Sequence, residues 1–86
     1  MIIHLCFVNI KERLGHRIRA LRTHKGISQQ ELSYRSGIDR TYIAQVESGK
    51  RNIAIVNIQK IAQALEISLK ELFNDEEFNN DRAGQY

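Results

Sequence analysis

The 86-residue chain has few of the residues that form disulfide bonds or bind metal ions: it contains one cysteine and three histidines. It also contains no proline and no tryptophan. A single Cys6 cannot form an internal disulfide, and a lone thiol fits a reducing compartment. The histidines are scattered and no set of cysteines accompanies them, so we expect no structural metal site and no cofactor. The low cysteine and histidine content excludes disulfide-rich domains and domains stabilised by a structural zinc ion.

Long hydrophobic runs are also missing. The apolar run MIIHLCFV at residues 1–8 is too short to span a bilayer. It has no positively charged start and no small-residue cleavage site follows it, so we do not expect it to be a signal peptide. We therefore expect a cytoplasmic protein without membrane association. Residues 1–8 are predicted to be an apolar N-terminal extension that packs against its own domain or against a second copy.

The composition is that of one small globular domain, with 42% hydrophobic and 27% charged residues. Its charge is distributed unevenly. Residues 1–51 carry ten Lys or Arg and four Asp or Glu, a balance of +6, whereas residues 52–86 carry three and six, a balance of −3. A basic half with an acidic end is typical of a nucleic-acid-binding surface, although solvated helix faces explain it about as well. The small size also favours a dimer, which adds buried surface.

Hydrophobic spacing predicts an all-α domain of five helices over residues 9–73. The first helix starts near Asn9, ends at Gly26 and has its apolar positions at Leu14, Ile18 and Leu21. A fourth helix is predicted from a set of core-forming residues: Ile55, Ile58, Ile61, Ala62 and Leu65. The fifth is short and begins at Ser68, with Glu71 at capping-box spacing. Residues 74–86 are predicted to be an acidic, polar, frayed tail.

Residues 28–49 have the spacing of a helix-turn-helix. Helix 2 is predicted at about 28–36, with Ser28 and Glu31 in a capping box, and helix 3 at about 39–48, with Asp39 as its N-cap. Gly37 supplies the positive φ of the turn, and the small Ser33 lets the two helices approach closely. The apolar residues that hold both helices on one core are Leu32, Ile38, Ile43 and Val46. This pattern favours DNA binding, and the alternative is a five-helix interaction domain.

The run RIRALRTHKGISQQELSYRSGIDRTYIAQVESGKRN, followed by NIQKIAQALEISLKELF, resembles the phage-repressor-like, xenobiotic-response-element family of helix-turn-helix regulators. The likeness covers about residues 14–73. Within that family, DRTYI, VESGKRN and NIQKIAQAL are most similar to the controller proteins of restriction-modification systems. Ser33, Ser36 and Ala54 depart from the Ala, apolar residue and Pro that are commoner there. The resemblance implies a five-helix phage-repressor-like fold and a homodimeric transcription regulator that reads an inverted repeat in double-stranded DNA.

The resemblance makes helix 3 the recognition helix, whose N-terminal end enters the major groove. It implies base contacts from four residues: Arg40, Thr41, Ala44 and Gln45. Arg40 is the strongest candidate because a guanidinium bonds both acceptors of a guanine edge. Contacts with the sugar-phosphate backbone are expected from seven residues: Ser28, Gln29, Arg35, Tyr42, Lys50, Arg51 and Asn52. The family also pairs an arginine of the first helix with a glutamate late in the third, here Arg22 and Glu47, which we expect to be structural.

Self-association is expected through the C-terminal helix. The residues predicted to face the second copy are Ile67, Leu69, Leu72 and Phe73. An enzyme is not expected, because the histidines lack partners at triad or metal spacing and the chain has no glycine-rich phosphate loop. The alternative function is an antitoxin-type module that binds a partner protein through residues 1–8 or the acidic tail and autoregulates its operon.

Overall fold

The computed structural model describes residues 9–75 and Phe78. Over these residues the chain forms five helices and no strand: α1 (Ile10–His24), α2 (Gln29–Ser36), α3 (Arg40–Glu47), α4 (Ile55–Ala64) and α5 (Leu69–Leu72). The prediction of an all-α, five-helix domain is confirmed. The N-terminal extension, residues 1–8, and most of the acidic tail lie outside the described residues. None of the described helices is long and apolar enough to cross a membrane.

Side chains just before four of the helices set where those helices begin. The side-chain oxygens of Asn9, Ser28, Asp39 and Ser68 accept hydrogen bonds from backbone N–H groups of the first turn of α1, α2, α3 and α5. Such a cap satisfies a donor that has no partner inside the helix. At the other end of α2, Gly37 has a φ of 73°, which the turn into α3 requires.

Only one of the two hydrogen bonds of the capping box predicted at the start of α2 is present. The Ser28 hydroxyl accepts from the Glu31 N–H at 3.0 Å, as predicted. The carboxylate of Glu31 was expected to return to the Ser28 amide but instead accepts from Arg35 Nε at 2.9 Å. Arg35 lies four residues further along the helix, where a charged donor competes well with a neutral amide.

One apolar core joins all five helices. Its fully buried side chains are Ile18, Leu32, Ile43, Val46, Ile61, Leu65 and Leu72. α3 packs against α1 and α2, while α4 packs against α2 and α5. Burying each large side chain contributes about 1.5–3 kcal/mol, so the position of α3 is set by the core rather than by its own helix propensity. Ile55 was predicted as core but is 69% exposed, because it occupies the first position of α4, beyond the edge of the core.

Arg17 connects α1 to the end of α5. Its Nε donates to the Leu72 carbonyl at 2.9 Å, and its Nη2 donates to the carbonyls of Glu71 at 2.8 Å and Asn74 at 3.2 Å. The last carbonyls of a helix lack donors within the helix and carry partial negative charge, so a guanidinium stabilises them. The sequence analysis did not identify this role, because the partners are 54 to 57 residues apart in the chain.

Candidate nucleic-acid interface

The side chains of α3 are divided between the core and the solvent. Ile43, Val46 and Glu47 are buried, whereas Arg40, Thr41, Ala44 and Gln45 are exposed or half-buried. Residues three or four positions apart share one face of a helix, so these last four side chains form a continuous surface. We call this surface the reading face. It brings together the four residues that were predicted to contact bases.

Arg40 stands at the leading end of the reading face. It is the first residue of α3 and is exposed, and its side chain makes no hydrogen bond or ion pair with the residues that the structure describes. Its neighbour Asp39 uses its carboxylate to cap the helix, accepting from the Thr41 N–H at 2.9 Å. A cation at a helix N-terminus gains nothing from the helix dipole, so helix stability does not explain an arginine here. All five N–H groups of Arg40 are available to a ligand.

Gln45, Tyr42 and Arg51 form a cluster at the other end of α3, which we call the Arg51 bridge. Arg51 Nε donates to Gln45 Oε1 at 2.9 Å. The guanidinium carbon lies 4.4 Å from the centroid of the Tyr42 ring, a cation–π contact. The Tyr42 hydroxyl accepts from the Ala54 N–H at 3.2 Å, immediately before α4. The loop between α3 and α4 is therefore tied to α3 by polar contacts.

A buried ion pair ties the end of α3 to α1 and to the start of α2. Arg22 donates from Nε to Glu47 Oε2 at 2.7 Å and from Nη2 to Glu47 Oε1 at 3.0 Å. Arg22 Nη1 also donates to the Ile27 carbonyl at 2.7 Å. The pairing of Arg22 with Glu47 that the resemblance implied is thus confirmed, and its bidentate geometry is the strong form of an arginine–carboxylate contact.

Gln29, predicted to contact the DNA backbone, belongs partly to this buried network. Its Nε2 donates to Glu47 Oε1 at 3.0 Å. One hydrogen of the amide group is thereby used inside the protein, and the second stays available to an outside acceptor. This contact could not be predicted from the sequence, since it depends on how closely the start of α2 approaches the end of α3.

The other residues predicted at the DNA backbone are on the surface. Lys50, Arg51 and Asn52 are exposed in the loop that follows α3, and Ser28 is exposed at the start of α2. Arg35 pairs with Glu31, and both side chains are about two-fifths exposed, at 41% and 45%. A surface pair of this kind contributes at most about 1 kcal/mol, so Arg35 is held only weakly. Phosphate contact by these residues stays a prediction.

The four residues predicted at a dimer surface differ in burial. Leu72 is fully buried within the chain, so its predicted place at that surface is wrong: the last residue of the short α5 points into the core. Leu69 is 38% exposed, and Ile67 and Phe73 are half-buried. Two further apolar residues, Ile55 and Val56, are 69% and 57% exposed at the start of α4. Hydrophobic spacing alone assigned Ile55 to the core and gave no role to Val56.

The chain matches known proteins along most of its length. A family model described as helix-turn-helix matches residues 18–72, more than half of the chain. The chain belongs to the helix-turn-helix family. The chain is 43% identical over 68 residues to the control protein C.MunI of Mycoplasma sp., a match that covers 78% of this chain and 92% of that protein.

Among the described residues, no group of three His, Cys, Asp or Glu side chains is placed to hold a metal ion.

Solved structures of controller proteins have the same fold. The restriction-modification controller protein C.AhdI from Aeromonas hydrophila superposes with a TM-score of 0.71 and 51% identity, covering 73% of this chain and 96% of that one. The tetramer of the controller protein C.Esp1396I in complex with its natural 35 base-pair operator superposes with a TM-score of 0.73 and 32% sequence identity. This match covers 83% of this chain and 91% of that one. The resemblance to controller proteins is confirmed.

Proposed function

We propose that this chain is a sequence-specific, DNA-binding transcription regulator of the controller type that acts as a homodimer on an inverted-repeat operator. The observation that carries the proposal is the reading face of α3, with the exposed guanidinium of Arg40 at its leading end. The relatives support it: they are control proteins, and the C.Esp1396I structure contains that protein's operator. Its role is binding rather than catalysis, and it acts in the cytoplasm, where the DNA of its bacterial relatives lies.

The reading face fits the major groove, which admits an α-helix. Arg40 donates to the two adjacent acceptors of a guanine, and the methyl groups of Thr41 and Ala44 meet thymine methyls. Lys50, Arg51 and Asn52 contact phosphates on one side of α3. Ser28 and Gln29 contact phosphates at the start of α2, where free backbone N–H groups favour anions. The phosphate contacts set the register in which the bases are read.

A homodimer accounts for the apolar residues left exposed on α4 and α5. Three of the five large hydrophobic residues exposed in the described chain lie there: Ile55, Val56 and Leu69. Ile55 and Val56 are adjacent at the start of α4, and exposed apolar side chains that lie together favour an interaction surface. A two-fold dimer through this surface presents two copies of α3 about 34–36 Å apart, one turn of the DNA helix, and therefore reads an inverted repeat.

Selection from a random duplex library at two salt concentrations tests the proposed function. We expect enrichment of an inverted repeat whose half-sites are centred about 10–11 base pairs apart. The same protein should sediment as a dimer at micromolar concentration. Binding that enriches no sequence and disappears at the higher salt concentration would show that only non-specific electrostatic attraction exists, and it would refute the proposal.

Substituting Arg40→Ala should remove discrimination at one base pair of each half-site. The expected loss is about 1–3 kcal/mol for the preferred base against the others, because the bidentate contact with guanine disappears. The melting temperature should stay that of the wild type, since Arg40 is exposed. Binding to operators that differ at single positions measures this loss.

Lys50→Ala is the matched control for Arg40→Ala, because Lys50 is also exposed but lies in the loop after α3. It should weaken binding to all sequences alike and lower the salt slope by about one unit. The assignment of Arg40 to a base fails if Arg40→Ala behaves in that same uniform way.

A further inference from the structure

The Arg51 bridge determines which atoms of the Gln45 amide are free to meet DNA. An arginine side chain donates hydrogen bonds and never accepts them. The Gln45 atom that lies 2.9 Å from Arg51 Nε is therefore the amide oxygen, Oε1. The amide nitrogen, with two N–H donors, occupies the other branch of the side chain. The Gln45 side chain makes no other hydrogen bond with the described residues, so those donors remain available.

The guanidinium that holds Gln45 is itself held in place. Its carbon lies 4.4 Å from the centroid of the Tyr42 ring, and Tyr42 is anchored through its hydroxyl to the Ala54 N–H. A planar guanidinium can lie against a ring and donate from Nε at the same time, whereas a lysine ammonium cannot reproduce this arrangement. The Gln45 orientation is thus set by a residue of the following loop rather than by α3 alone.

This orientation has a consequence for base reading. Glutamine recognises adenine by accepting a hydrogen bond from the N6 amino group and donating one to N7. In this chain one lone pair of the Gln45 amide oxygen accepts from the Arg51 guanidinium. The second lone pair is still free, but the positive charge beside it repels the N6 amino group and weakens that contact. The free amide N–H donors suit base edges that present only acceptors, which are N7 and O6 of guanine and O4 of thymine.

We propose that Arg51 is a positioning residue that makes Gln45 prefer guanine or thymine to adenine at the base it contacts. The proposal rests on the proposed function, because it concerns the base preference of the same DNA interface. It assigns Arg51 a role in sequence reading that is separate from any contact of its charge with phosphate. A phosphate contact by itself carries no sequence information.

The test compares affinities for pairs of operators that differ at one base pair. Selection with Gln45→Ala identifies that base pair as the position whose preference is lost. The wild type should prefer guanine or thymine there over adenine by about tenfold. Arg51→Lys keeps the charge but removes the bridge, so the ratio of affinities should fall to about one or reverse in favour of adenine. A general loss of affinity cancels in this ratio.

Two further variants separate positioning from charge. Lys50→Met removes the neighbouring cation, so it should weaken binding to both operators and leave their ratio as in the wild type. In the Gln45→Ala background, Arg51→Lys should have no effect on the ratio, because the group that Arg51 positions is absent. Melting temperatures of all variants establish that the compared proteins are folded.

Three results would overturn the proposal: a wild-type preference for adenine at this position, no position whose preference depends on Gln45, or an Arg51→Lys ratio equal to that of the wild type. Failure of the proposed function looks different, because the wild-type protein would then enrich no sequence at all.

Discussion

Glu47→Ala is expected to lower the free energy of unfolding by about 3–5 kcal/mol. The substitution leaves the Arg22 guanidinium without its counter-charge at a site where only 10% of the side chain is exposed. It also removes the acceptor of the Gln29 amide N–H. A small domain has a total stability near the lower end of about 5–15 kcal/mol, so the variant should be largely unfolded in mild urea. Urea unfolding followed by circular dichroism measures the change.

Glu31→Ala is the matched control for Glu47→Ala, because Glu31 also pairs with an arginine through Nε but is 45% exposed. Its expected cost is less than about 1 kcal/mol. The double substitution Arg22→Met with Glu47→Leu should recover much of the lost stability, since it removes both buried charges together. Equal costs for Glu47→Ala and Glu31→Ala would contradict this account of the buried pair.

The fold follows from the sequence to a large extent because its determinants are local. Apolar spacing at Leu32, Ile43 and Val46, the caps Ser28 and Asp39, and the turn glycine each act within a few residues. Such signals are readable without knowing how the helices pack. The two errors in burial arise where packing decides. Ile55 and Leu72 lie at the ends of helices, where the spacing of apolar residues does not show whether another helix covers them.

The reading face was predictable for the same reason as the core. The periodicity that buries Ile43 and Val46 necessarily exposes the opposite side of α3. The contacts that orient its side chains were not predictable, since Arg51 reaches Gln45 across a loop whose path is set by tertiary structure. Gln29 is a similar case: its residue type suggested a phosphate contact, and only the packing of α2 on α3 showed its bond to Glu47.

Gly15→Ala is expected to destabilise the domain by about 3 kcal/mol, although alanine is the better helix former. Gly15 lies in α1 where this helix crosses the end of α3. A Cβ atom at this position would overlap the Val46 carbonyl oxygen and lie 2.9 Å from that of Glu47. Backbone carbonyls cannot rotate away as a flexible side chain does, so α1 and α3 would have to separate. Urea unfolding measures the net effect.

Ala20→Gly separates helix propensity from packing, because Ala20 is an exposed residue of the same helix. It changes propensity alone and should cost about 1 kcal/mol. If propensity also dominated at residue 15, Gly15→Ala would stabilise the domain by a similar amount, and the two substitutions would have opposite effects on stability. We expect both to destabilise it, with the larger loss at residue 15. Because the separation of α1 from α3 moves the end of α3, which we propose to enter the major groove, Gly15→Ala should also weaken operator binding, whereas Ala20→Gly leaves α3 in place.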